Sequence, residues 1–135
     1  MDAPRLFAII SLVSLPTVMY GGYSLRRLME RGAGVTEFQR TYFRAGHAHA
    51  GVLLVLSLVY YQYLAGTTID DGLQWLACVV LLAGILAQSG GFFLHMAAGR
   101  PDAPSSGTLL TTVGAVLLAA ALLFLAYALI GAYPD

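Results

Sequence analysis

Four long apolar stretches set the limits on this chain: roughly Leu6–Leu25, Tyr42–Leu64, Leu73–Ala97 and Leu109–Ala132. Each reaches the length of about 20 residues that a helix needs to cross a hydrocarbon core. In 135 residues of which 59% are hydrophobic and only 10% charged, they leave no room for a separate soluble domain. In lipid, backbone polar groups must be satisfied within the spanning element, so the segments are expected to be helices. The expected fold is all-α, an integral membrane antiparallel four-helix bundle forming one transmembrane domain over residues 1–135. A lone cysteine, Cys78, excludes an internal disulfide and reads as a small apolar core or lipid-facing residue.

The first stretch is near the N-terminus, where a signal peptide would lie. Its leading region sets Asp2 beside a single arginine, Arg5, and no small-residue cleavage pattern follows. The stronger positive charge comes after it, at Arg26, Arg27 and Arg31, so a retained helix is expected.

Helix ends are well marked. Asp2 can cap the first helix with Pro4 in its opening turn, Pro16 should kink it, and Gly32 should stop it. Thr36 with Gln39 forms a capping box, so the second helix should start well before its apolar run and end near Gly66. Asp71 with Gln74 is expected to open the third helix, and Gly99 before Pro101 to close it. Ser105 or Ser106 can cap the fourth, which Gly131 can end.

Charge sets the expected orientation. The connection after the first helix and the start of the second hold Arg26, Arg27, Arg31, Arg40 and Arg44, and the connection after the third holds Arg100. The remaining connection holds Asp70 and Asp71 with no positive charge. The positive-inside rule then places the arginine-bearing loops in the cytoplasm and both termini outside a cell inner membrane. Tyr60, Tyr61, Tyr63, Trp75, Tyr127 and Tyr133 would form an outer aromatic belt; Tyr20, Tyr23, Tyr42 and Phe43 an inner one. The lipid bilayer is the expected partner, with a homo-oligomer or a larger membrane complex open as further ones. The basic loop is short and lacks interleaved aromatics, so nucleic acid is not expected. No P-loop, dinucleotide fingerprint or H-E-x-x-H motif is present.

The chemistry available to the chain lies in the run Phe43-Arg44-Ala45-Gly46-His47-Ala48-His49-Ala50-Gly51. An ionisable group inside a membrane segment is costly and is a site hypothesis by default. The short second connection makes helices two and three antiparallel neighbours, which brings His95 to the depth of His47 and His49. Tyr20 and Thr111 or Thr112 should lie near that layer, and Tyr20, Gln88 and Thr111 are expected as further interior polar groups. At about 100° per residue His47 and His49 point about 160° apart, so one regular helix cannot chelate an ion with both. The His47 face continues through Gly51 and Leu54, with Ala50 beside it; the His49 face is bulkier. On helix three the His95 face runs back through Gly91, Gln88 and Gly84. Small residues mark close contact between membrane helices. His47 and His95 are therefore the expected facing partners, as axial ligands to a haem or, with His49 as a further metal candidate, ligands to a transition-metal ion. Arg40 and Arg44 share the His47 face and would suit haem propionates, a small anion or an anionic headgroup, or would snorkel to lipid phosphate.

The pair His47-Ala48-His49 is similar to the His-x-His on a membrane helix of haem-copper oxidase catalytic subunits. There the two imidazoles serve haems on opposite faces of one helix. This chain has too few helices and histidines for that fold, which excludes a terminal oxidase. More broadly it resembles small, lysine-free, Ala/Leu/Gly/Arg-rich membrane proteins of high-GC bacteria. The expected function is a histidine-lined cofactor site for electron transfer, with two alternatives: an accessory subunit, or a small proton-coupled transporter whose histidines are structural or titrate. With no nucleophile–base pair and with Glu30 and Glu37 in a loop, a hydrolase is not expected.

Overall fold

The computed structural model describes residues 1–31 and 34–132. Four helices follow in order: α1 Ala3–Glu30, α2 Glu37–Leu64, α3 Asp71–Ala98 and α4 Ser106–Ala132. All four are long and apolar enough to cross a membrane. At about 1.5 Å per residue each spans roughly 40 Å, beyond the hydrocarbon thickness of about 30 Å. The connections alternate ends, so neighbours in the chain are antiparallel. The α1–α2 and α3–α4 connections share the arginine-bearing end; the α2–α3 connection lies with the chain termini at the other.

Most of the expected end signals are used. Asp2 accepts from Arg5 N at 2.9 Å, and α1 runs through Pro16 to Glu30. Thr36 and Gln39 form the reciprocal capping box, Gly99 caps α3, and Ser105 accepts from Gly107 N at the start of α4. The expected stop at Gly32 and belt residue Tyr133 lie outside the described residues. One cap is shifted by a residue. Asp70, not Asp71, is the N-cap of α3, in extended backbone with its carboxylate on Leu73 N at 3.1 Å. Asp71 falls inside the first turn, where its charge meets the positive end of the helix dipole. Gln74 is then one position too far for a capping box, and its amide donates to Ile69 O instead.

The α2–α3 pair is central. α1 packs on both of its helices and so does α4, whereas α1 and α4 do not touch among the described residues. They therefore flank the central pair on different sides. The α3–α4 seam is the tightest, because glycines let the two backbones meet. A Cβ on Gly84 would lie 2.9 Å from Leu118, and one on Gly91 or Gly114 would strike the backbone of Thr111 or Gln88. On the α2–α3 seam the close glycine is Gly46, where a Cβ would lie 3.1 Å from Phe92 and Phe93. Gly51, expected to mark this contact, meets only Val18 of α1, at an ordinary 3.8 Å.

The dense core lies in the terminal half and includes a correction. Tyr60 and Tyr61, expected in an outer belt, are 1% and 2% exposed. The Tyr60 hydroxyl donates to Ala121 O of α4 at 3.1 Å, which ties α2 across to α4. Tyr61 packs its ring near Phe7, beneath which Ser11 and Ser57, both fully buried, share a 2.8 Å hydrogen bond between α1 and α2. In lipid such an interhelical bond contributes about 0.6–2 kcal/mol. Tyr63, Trp75 and Tyr127 are exposed, as a belt requires.

Candidate functional site

His95 occupies the last turn of α3 and is buried. The chain returns through a short connection in which Asp102 takes a left-handed φ of 58° and Arg100 bridges to Ala103. That turn sets Ser105 beside the imidazole. Ser105 Oγ accepts from Gly107 N at 3.1 Å and from Thr108 N at 3.4 Å, and lies 2.6 Å from His95 Nδ1. With its lone pairs taken by two N–H donors, Ser105 has its own proton to give, so Nδ1 accepts it and the ring proton belongs on Nε2. From α2, Tyr42 and Phe38, one turn apart, close over the ring at centroid distances of 4.3 and 5.3 Å. His95 thus links α3 to the N-cap of α4.

His47 does the comparable job on the other flank. Its ring stacks on Phe43, with centroids 6.1 Å apart and planes at 19°, and fits a notch in α1 left by two glycines. A Cβ on Gly22 would lie 2.7 Å from Nε2, and one on Gly21 3.9 Å from Nδ1. The imidazole has no hydrogen-bond partner among the described residues. It borders a cleft of about 270 Å³ that Thr17, Val18, Phe43, Ala50 and Phe93 also line.

His49 sits over α3. Its Nδ1–H donates to Ala45 O at 2.8 Å, one turn back, and its ring lies 4.8 Å from Phe92. The expectation that His47 faces His95 while His49 turns away is therefore corrected. His95 points to α4 and His47 to α1, and of the α2 histidines it is His49 that meets α3. Small neighbours marked the His47 face as a packed one, but α2 packs against three helices and this face meets α1.

The remaining site residues divide. Gln88 and Thr111 are half-buried on the α3–α4 seam, with the Thr111 hydroxyl 3.5 Å from Gln88 O. Tyr20 is 70% exposed and packs on Tyr23, so it is not an interior polar group. Gly21, Gly22 and Leu25 take the contact side of α1 and leave Tyr20 facing outward. Arg40 reaches Glu37 only at 3.6 Å, and its Nε is buried without a hydrogen-bond partner. Arg44 is exposed and forms no ion pair among the described residues. Sequence reasoning missed the Ser11–Ser57 bond. Two serines set inside apolar runs were the available signal.

Among the described residues no three His, Cys, Asp or Glu side chains converge as a metal site would require. The layer instead places its imidazoles at three different interfaces: His47 between α1 and α2, His49 between α2 and α3, and His95 between α3 and α4. Comparison with known proteins finds no matching family, no matching curated protein and no matching solved structure.

Proposed function

We propose that this chain is a small proton-coupled transporter of a bacterial inner membrane, with both termini outside and the histidine layer in the cytoplasmic leaflet. The observation that carries this reading is that each flanking helix is held at its arginine-bearing end by one imidazole: α1 by His47 and α4 by His95. An imidazole is the side chain that changes charge between about pH 5 and 8. Protonating His47 sets a cation against α1, stacked on Phe43, with Arg44 one turn away and no carboxylate in contact among the described residues. Protonating His95 Nδ1 ends its role as acceptor for Ser105, beside the positive end of the α4 dipole. Among the described residues α1 and α4 do not touch, so moving one off the central pair does not require the other to move.

The test places spin labels at Leu28 of α1 and Thr41 of α2 in a Cys78→Ser background. The separation should widen as pH falls from about 8 to 5, and His47→Asn should remove that dependence. An invariant distance, or one that still widens in His47→Asn, overturns the reading. Collapse of an imposed pH gradient in proteoliposomes then marks a transporter. Widening without such flux marks an accessory subunit of a larger complex.

Orientation has its own check. A reporter fused after Asp70 should read periplasmic and one at Gly34 cytoplasmic; the reverse result moves the histidine layer to the outer leaflet.

A second reading is supported by Arg40 and Arg44 lying on the His47 face and by the His47 ring nitrogens having no hydrogen-bond partner among the described residues. It is a haem or transition-metal site for electron transfer, and it requires α1 to withdraw Gly22 from Nε2. A Soret band or bound metal lost in His47→Ala carries this reading; a colourless, metal-free preparation after reconstitution sinks it.

A further inference from the structure

The groups along one face of α2 occur in an unusual order. Arg40 and Arg44 lie one turn apart at the arginine-bearing end, His47 lies about 4.5 Å deeper, and beyond it Ala50 leads into an apolar cleft. Val18 and Gly21 of α1 and Phe43 and Phe93 form the other walls. The cleft is open on its outer side, which in this chain faces lipid.

Three groups on this face lack partners: His47, which lines the cleft, and the two arginines on the turns before it. Arg44 has no acidic partner among the described residues, and the Arg40 Nε is buried with no acceptor. The His47 ring lacks a hydrogen-bond partner there too, with Nδ1 toward Gly21 on the cleft wall. Guanidinium, then imidazole N–H, then apolar wall is the complement of phosphate, then ester carbonyl, then acyl chain. In a glycerophospholipid the ester carbonyls lie a few bonds below the phosphate, which matches the single turn between Arg44 and His47.

We propose that this cleft is a specific site for one anionic phospholipid. Its phosphate accepts from Arg44 and Arg40, one ester carbonyl accepts from His47, and one acyl chain fills the cleft between α1 and α2. Charge complementarity selects an anionic headgroup. Beside the cleft, Glu30 is paired with Arg26, and Glu37 lies 3.6 Å from Arg40 Nη1 and leaves its Nε free, so this face carries uncompensated positive charge. Basic clusters at the membrane boundary attract anionic lipid in general; the cleft adds a seat for the chain and makes the attraction local. The site stands whether or not the histidines titrate.

Purified protein in mild detergent would be titrated with phosphatidylglycerol or phosphatidylcholine and the bound lipid counted by native mass spectrometry. One phosphatidylglycerol should bind with roughly tenfold or greater preference, and Arg44→Gln should weaken it by roughly tenfold, the loss of one charge-assisted hydrogen bond. Ala50→Phe, which fills the cleft and keeps both arginines, should also weaken it. Arg100→Gln on the other loop and His49→Phe should leave it unchanged. Inorganic phosphate should not compete, since the chain contributes to the binding. Equal binding of the two lipids, or equal losses in Arg44→Gln and Arg100→Gln, would overturn the site in favour of diffuse charge. Binding that survives Ala50→Phe, or that inorganic phosphate displaces, would reduce it to a headgroup contact without a cleft.

Discussion

Gly114→Ala and Gly91→Ala should each cost about 1–3 kcal/mol of stability, because each adds a methyl group where the facing helix's backbone already lies. At Gly114 the new Cβ would lie against Gln88 N and 2.7 Å from its Cα; at Gly91 it would meet Thr111 N and the Gly107 carbonyl. These obstacles are backbone and cannot rotate aside, so α3 and α4 have to part. In lipid, helix association rests on van der Waals packing and interhelical hydrogen bonds rather than on hydrophobic exclusion. Separation therefore weakens the whole seam, including the 3.5 Å approach of Thr111 to Gln88 O. Leucine at either position should prevent the seam from closing. The internal control is Gly90→Ala, where a Cβ meets open space; alanine is the better helix former by roughly 0.5–1 kcal/mol, so this variant should be neutral or slightly stabilised. Gly51→Ala should also be near neutral. Thermal unfolding in mild detergent, followed through Trp75, ranks the four. Finding Gly114→Ala as stable as Gly90→Ala would mean the seam is not packed as described.

Ser105→Ala should cost about 2–4 kcal/mol, because one oxygen has two duties. It caps α4 by accepting from Gly107 N and Thr108 N, and removing such a cap costs about 1 kcal/mol. It also lies 2.6 Å from Nδ1 of the buried His95, and a buried acceptor left without a donor costs about 1–3 kcal/mol more. The Thr108 hydroxyl, 3.4 Å from the same nitrogen, can recover part of this. Ser105→Thr retains the hydroxyl and should recover most of the loss. Ser106→Ala, at an exposed position, should change little. The loss should be smaller when His95 is already phenylalanine, since the two residues form one unit and their effects are not additive. Hydrogen exchange at the first turn of α4 should rise in Ser105→Ala; unchanged exchange there would separate the cap from the histidine.

The helices and their ends were legible because their signals are local. Thr36 and Gln39, Gly99, and Ser105 before α4 act within a turn of themselves, which is why those ends fell where expected. The Asp70–Asp71 pair shows the limit: either carboxylate suits the chemistry, and the backbone conformation of the connection chose Asp70. Depth was legible too. An antiparallel hairpin with a short turn puts residues equidistant from that turn at one level, and His47, His49 and His95 do share a layer of aromatic neighbours.

What lay beyond the sequence was the direction each face takes. Tyr60 and Tyr61 have the composition of an interfacial belt, yet they close the core, while Tyr20, taken as interior, faces out. His47 and His95 have small neighbours suited to meeting each other, yet they fasten opposite flanks. By itself the sequence determined four helices long and apolar enough to span a membrane, most of their limits, and the layer the three histidines share, since hydrogen bonding, capping and rise per residue act along one chain. Only the tertiary structure decided which neighbour each face meets. Lipid is as apolar as leucine, so hydropathy cannot tell a lipid-facing stripe from a packed one. A helix with two neighbours also offers two equally apolar directions, and the choice falls to backbone approach at glycines such as Gly22, Gly91 and Gly114.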